Sequence, residues 1–234
     1  MKALILAAGR GTRLAGVAAV PKPLIDVGGT SPLEHALAWV SRQRPERIWI
    51  NVHAAADMIR ERIGTAVAGV PVSYSYEPEL LGTAGAWKRL ESEWDGTSLV
   101  VYGDNVMEFD LDALLGTHRA VGTAATIAVF DPARHANTGI GGGRVEVDEG
   151  RATAFVEGGT TGLINAGAYY LEPELRERLP VGFLDFGHDV LPVLAAAGEV
   201  AVHVVEDAGF CLGVDTPERL RLARAMLGAQ EVTR

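Results

Sequence analysis

The chain has 234 residues, 48% of them hydrophobic, a formal net charge of −9 and one cysteine. That length and apolar content suffice for a single domain with a substantial core, and the acidic balance excludes a general nucleic-acid-binding surface, which needs clustered Lys and Arg. A lone Cys211 permits neither an intrachain disulfide nor a cysteine-based zinc or iron–sulfur site, and with no signal-peptide pattern and no apolar run long enough for a bilayer, a soluble cytoplasmic protein without membrane partners is expected.

In chain order, apolar strand-like runs at Ala3–Leu6, Arg47–Val52, Val70–Tyr76 and Ser98–Tyr102 alternate with helical patterns at Pro32–Val40, Ala54–Ile63 and Ala84–Glu93. Such alternation predicts parallel strands with helices on both faces of the sheet. After Asp104 the rhythm changes. Thr123–Phe130, Gly143–Val147 and Ala152–Val156 read as successive strands, with turns at Asp131-Pro132 and Asp148-Glu149-Gly150, so this half should be mixed. Leu163–Leu171 is a further strand, Gly187–Ala197 a helix, Val200–Val205 a strand, and Thr216–Leu227 a closing amphipathic helix with Pro217 in its first turn.

The first strand opens into Leu6-Ala7-Ala8-Gly9-Arg10-Gly11-Thr12-Arg13-Leu14, with Pro21-Lys22-Pro23 close behind. Small residues after a buried strand let backbone N–H groups approach an anion, and Arg13 and Lys22 add fixed positive charge. A dinucleotide fingerprint requires a third glycine where Leu14 stands, and a P-loop requires a Gly-Lys-Ser/Thr ending that is absent. Asp104 ends another strand at the edge where open α/β sheets bind ligands, and its hard oxygens suit Mg²⁺ held together with substrate phosphates; alternatively it serves as a turn or cap residue. His53 and His188-Asp189 read as caps or satisfied polar residues rather than catalysts, and no serine or cysteine triad is legible.

The string LAAGRGTRL with PKP behind it resembles the signature of the sugar-1-phosphate nucleotidylyltransferases, and the pattern from Met1 to about Leu227 is most similar to the heptose-1-phosphate and mannose-1-phosphate guanylyltransferase branch. The resemblance implies a single-domain Rossmann-like α/β fold of the nucleotide-diphospho-sugar transferase type, with a mixed, mainly parallel sheet. Residues 1–120 would mainly bind a nucleoside triphosphate and residues 121–234 mainly a sugar 1-phosphate, with Mg²⁺ as cofactor. It assigns Leu6, Ala7, Ala8, Gly9, Gly11 and Thr12 to the nucleotide, with Arg13 and Lys22 as the catalytic cations. It also assigns the Leu81-Gly82-Thr83-Ala84-Gly85-Ala86 segment to the base. There Gly82 permits close approach and Thr83 can cap the helix. Glu77 stands where pyrimidine-using relatives often carry glutamine; as an acceptor it favours GTP or CTP over UTP or dTTP, unless it is a solvated residue beside a turn.

Further along, Gly103-Asp104 matches the family's strand-end Gly-Asp, placing Gly103 beside substrate and Asp104 on the metal. Glu157, Asn165 and Gly167 fall in segments that resemble the sugar-binding half, although Gly158 replaces the usual lysine and Asn165 could instead satisfy a strand bend. Gly213 stands where many members carry their second metal aspartate. Gly-Val-Asp-Thr-Pro-Glu instead resembles the terminal metal motif of the 3-deoxy-manno-octulosonate cytidylyltransferases, which makes Asp215 the second ligand unless it or Thr216 merely caps the last helix.

Overall fold

The computed structural model describes residues 1–9, 20–135, 143–156 and 162–231, the side chains of the last helix through residue 227. Strand β1 (Lys2–Leu6) lies between β2 (Ile48–Val52) and β5 (Ser98–Tyr102), and β2 pairs with β4 (Val70–Tyr76), all in parallel; the two-residue β3 (Ala66–Val67) covers the outer edge of β4. On the other side β5 takes β10 (Leu163–Leu171) as an antiparallel neighbour, and β10 in turn pairs with β7 (Ala125–Phe130). From β7 the sheet continues through a parallel β11 (Val200–Val204) to β9 (Arg151–Val156) and β8 (Arg144–Asp148). Because β8 also pairs with β10, the last five strands close on themselves in a barrel-like loop.

Strand periodicity of two sorts the core into two layers. Ala3 and Ile5 of β1, Leu99 and Val101 of β5, and Ala168 and Tyr170 of β10 join one cluster, with α1 (Pro32–Ser41), α2 (Ala56–Ile63) and α4 (Leu111–Val121) packed over it. Leu4, Val100, Tyr169 and Leu171 face the opposite cluster beneath α3 (Gly82–Arg89), α5 (Leu175–Arg178) and α6 (Leu191–Ala196). Helices α1 and α4 start at side-chain caps. Ser31 and Glu34 form a reciprocal capping box at α1, and the Asp110 carboxylate accepts two backbone N–H groups at α4 before Gly122 ends that helix in a left-handed conformation.

A two-stranded antiparallel ribbon, β6 (Asn105–Glu108) with β12 (Phe210–Gly213), stands apart from the main sheet. With the Lys22–Leu24 turn and the closing helix α7 (Pro217–Glu231) it encloses a small third core of Ile25, Val27, Val106, Leu212, Val214, Leu220 and Ala223. Cys211 is buried in this ribbon, where burial and then Asp104 push its thiol well up, so it is no nucleophile. Among the described residues no helix is long and apolar enough to cross a membrane.

The structure corrects several sequence expectations. The first half is parallel and the second mixed, as expected, but the sheet as a whole is not mainly parallel, since β10 enters its middle antiparallel to both β5 and β7. The expected helix Ala84–Glu93 begins at Gly82 and ends at Arg89, with a separate turn at Glu91–Glu93; Gly187–Ala197 is a π-helical turn, Phe186–Val190, running into α6. The short elements β3, β6, β12 and α5, and the 11-residue helix α4, had no sequence reading.

Candidate active site

The carboxyl ends of four parallel strands open on one cleft of about 210 Å³, as the topology of open α/β sheets requires. Leu6, Ala8 and Gly9 enter it from the end of β1, Asn51 from β2, Glu77 from just past β4, and Tyr102 and Asp104 from β5. Leu80, Gly82, Thr83 and Phe183 complete the lining.

At one end stands a charge cluster. Lys22, 8% exposed, donates from Nζ to Asp104 Oδ2 at 2.7 Å and also to Asp215 Oδ1. Burial opposes the ammonium charge, but Asp104 and Asp215 outweigh it and hold the lysine pKa above its ordinary value, so Lys22 is cationic. The ribbon register explains why the two aspartates meet. Asn105 pairs with Gly213, so Asp104 and Asp215 emerge together from adjacent chain ends. Thr216, not Asp215, caps α7 by accepting from Arg219 N at 3.2 Å; the Asp215 carboxylate is left for Lys22 and, at 3.6 Å, Arg219. Among the described residues no group of three or more His, Cys, Asp or Glu is placed to hold a metal ion. Two carboxylates with hard oxygen donors, converging on one ammonium, nevertheless fit the set that Mg²⁺ uses when phosphates and water complete its shell.

Glu77 is fully buried, and its carboxylate is fixed rather than free. Oε1 accepts from Asn51 Nδ2 at 2.9 Å and Oε2 from Leu81 N at 3.0 Å, while Asn51 Oδ1 accepts from Ala7 N at 2.7 Å. This chain of bonds ties the glycine-loop strand, β2 and the entry to α3 into one unit. Each carboxylate oxygen has a second lone pair, and Glu77 borders the cleft from beneath, with none of its own surface exposed to solvent. Asn51 went unnoticed in the sequence because it reads as the polar member of a strand. His53 is a structural residue, its Nδ1 2.8 Å from the Glu77 carbonyl.

Thr83 does not cap α3, which has no side-chain cap; its hydroxyl donates to Asp185 Oδ2 and accepts from Phe186 N, both at 2.8 Å. Asp185 starts the π-helical turn, and the Asp189 carboxylate accepts from its N–H at 2.7 Å. Gly82 has φ +74°, and a Cβ there would lie 2.3 Å from Leu184 O, so the close approach it permits is made by this chain's own backbone. At Gly103 an added Cβ would meet Ile5 at 2.6 Å.

Asn165 donates from Nδ2 to Tyr169 Oη at 2.9 Å and accepts from Gly167 N at 3.1 Å, across the bulge in the β10–β7 ladder. It satisfies the strand bend, and Gly167 sits there at φ +77° against the Tyr102 ring. Neither residue lines the cleft. Gly11, Thr12, Arg13 and Glu157 lie outside the described residues.

The family described as "Nucleotidyl transferase" matches residues 2–210. Similar proteins include the UTP–glucose-1-phosphate uridylyltransferase of Synechocystis sp., 32% identical over 85% of this chain, and the mannose-1-phosphate guanylyltransferase of Mycobacterium tuberculosis, 30% identical over 92% of it. The chain spans 56% and 61% of the lengths of these two relatives. The crystal structure of HddC from Yersinia pseudotuberculosis superposes with a TM-score of 0.80 at 26% identity, covering 97% of this chain and 99% of that one; HddC has also been crystallised in complex with GMP-PN.

Proposed function

Because the chain belongs to the nucleotidyl transferase family, we propose that it joins a nucleoside triphosphate, with GTP favoured, to a sugar 1-phosphate, giving a nucleoside diphosphate sugar and pyrophosphate. The single observation that carries this reading is the buried Lys22 ammonium held by Asp104 and Asp215 at one end of the cleft. Such a cluster serves a reaction between two phosphate anions, because it supplies fixed positive charge together with oxygen ligands for a cation.

In the proposed reaction a phosphate oxygen of the sugar 1-phosphate attacks the α-phosphorus in line. The new P–O bond forms as the bond to the β-phosphate oxygen breaks, and pyrophosphate departs with that electron pair. The acceptor is already an anion near neutral pH, so no protein base or nucleophile is needed. Lys22 neutralises charge developing at the α-phosphate, and Arg13 that on the leaving pyrophosphate. Mg²⁺, held by Asp104 and Asp215, would supply further charge neutralisation across the reacting phosphates. Residues 1–120 would mainly bind the nucleotide: the backbone of Leu6, Ala7, Ala8, Gly9, Gly11 and Thr12 follows the phosphates and ribose, and Gly82 and Thr83 flank the base. Residues 121–234 would mainly bind the sugar phosphate, with Glu157, Asn165, Gly167 and the strand-end Gly103 near it.

GTP is favoured because Glu77 is a fixed acceptor at the cleft floor, matched to the N–H groups on the guanine edge and unable to donate to O4 of uracil or thymine. The names of the mannose-1-phosphate relative and the GMP-PN complex of HddC support the same base. The test is pyrophosphate release for each common nucleoside triphosphate against a panel of sugar 1-phosphates with Mg²⁺ present. GTP with one hexose or heptose 1-phosphate should give the highest kcat/KM. A chain that releases no pyrophosphate with any pair would overturn nucleotidyl transfer, and a preference for UTP or dTTP would overturn the role of Glu77 alone.

A further inference from the structure

Phe183 is 68% exposed, an uncommon state for a phenyl ring in a chain whose other phenylalanines are at least partly buried. Its surroundings are nevertheless rigid. The next residue, Leu184, donates its N–H to Leu81 O at 2.9 Å, and its carbonyl accepts from Ala84 N at 3.0 Å and Gly85 N at 3.1 Å. Asp185 accepts from the Thr83 hydroxyl, Gly187 N and His188 N, and Phe186 is fully buried against Tyr169. Gly82 and Gly85 lack the Cβ atoms that would strike the Leu184 and Gly182 carbonyls at 2.3 and 2.4 Å. The loop is thus seated on the segment that opens α3, and Phe183, largely exposed, lines the same cleft as Leu80, Gly82 and Thr83.

We propose that Phe183 is the stacking wall of the nucleoside site, a residue that sets nucleotide affinity without selecting the base. This deepens the nucleotidyl-transfer reading and rests on it. The nucleoside rather than the acceptor is the fitting partner because the backbone anchors that position the ring run to residues 81–85, the segment flanking Glu77, whose carboxylate accepts from Leu81 N. A phenyl ring held by a fixed backbone loses little freedom on contact with a flat heterocycle, and every base offers a π face. The cleft then divides its work between an edge contact that discriminates, at Glu77, and a face contact that does not, at Phe183.

The test measures nucleotide binding by calorimetry with GTP and with CTP, Mg²⁺ present and the sugar phosphate omitted so that nothing turns over, and then KM for each substrate. Phe183→Ala should weaken the Kd of both nucleotides by similar factors of about 5- to 100-fold. KM for the sugar 1-phosphate and the Tm should stay near wild type, since the side chain is mostly exposed. Phe183→Trp should preserve binding, whereas Glu77→Gln should change the ratio between GTP and CTP. If the wild type binds GTP and Phe183→Ala binds it equally well, the stacking role is overturned while nucleotidyl transfer stands. The stacking role falls equally if only the sugar-phosphate KM rises, or if the variant changes oligomeric state with nucleotide Kd unaltered. A wild type that binds no nucleoside triphosphate overturns the parent reading and this inference with it.

Discussion

Asp215 separates two roles that sequence alone leaves entangled, because an aspartate before Thr-Pro can ligate a metal or cap a helix. In the structure Thr216 takes the capping role, while Asp215 shares Lys22 with Asp104. Asp215→Asn should therefore leave α7 and the melting temperature nearly intact, while lowering kcat by about 100-fold or more and raising the Mg²⁺ concentration needed for half-maximal turnover. Thr216→Ala should do the reverse, costing about 1 kcal/mol of stability with little effect on kcat. Thermal melts and Mg²⁺ titrations of the two variants decide the assignment: full activity of Asp215→Asn at limiting Mg²⁺ would remove it from the metal. A similar contrast holds at Glu77, whose acceptor chemistry was readable from its side chain, whereas its dependence on Asn51 was not. That bond crosses between neighbouring strands, and only the β2–β4 register brings the two residues together.

Among the strands, the longer runs were legible and the shortest were not. β1, β2 and β5 are each buried over most of their length, so composition alone marks them, whereas β4 is marked by its β-branched and aromatic residues. β6 and β12 are four residues each and acquire meaning only as a pair. The convergence of Asp104 and Asp215 was therefore expected from resemblance, while its cause, the ribbon, was hidden. The loop before α6 was equally silent, since Pro180, Val181, Gly182 and Phe183 carry no periodicity. Its seat on α3 gives a prediction at this scale. Gly85→Ala would set a Cβ 2.4 Å from Gly182 O, and backbone at that distance must move. The variant should lose about 1–3 kcal/mol of stability and, by shifting the loop, weaken nucleotide binding as Phe183→Ala does. Melting and calorimetry on the same preparation check both, and a Gly85→Ala chain of unchanged Tm would show that the contact is not tight.

For the whole molecule, stability should depend on acid through buried imidazoles. His35, His118 and His203 are all held below the ordinary histidine value of 6.5, in each case chiefly because burial disfavours the charged ring. Below pH 6.5 the unfolded chain takes up protons that the folded chain refuses, so this stability is fully present above 6.5 and is lost as pH falls from there through the lower folded-state values. Tm should fall between about pH 7 and pH 5, by about 2–4 °C for each kcal/mol lost. His118→Gln should flatten that slope, since the ring now bonded to Thr126 and Glu172 no longer titrates. A pH profile identical to wild type would show that His118 does not titrate in this range.

The position of β10 also has a consequence in time. Tyr169 pairs with Val100, and Leu171 with Ser98, so the central ladder joins residues about seventy positions apart in the chain. During synthesis the four parallel strands of the first half emerge long before the strand that covers β5. Until residue 171 leaves the ribosome, β5 presents an open hydrogen-bonding edge of apolar residues, the kind that recruits other chains. Folding cannot proceed half by half, and the growing chain must wait, exposed, for its own later strand. A fragment ending near residue 122 should therefore aggregate rather than fold, and refolding of the full chain should be slow, governed by the closure of that long loop.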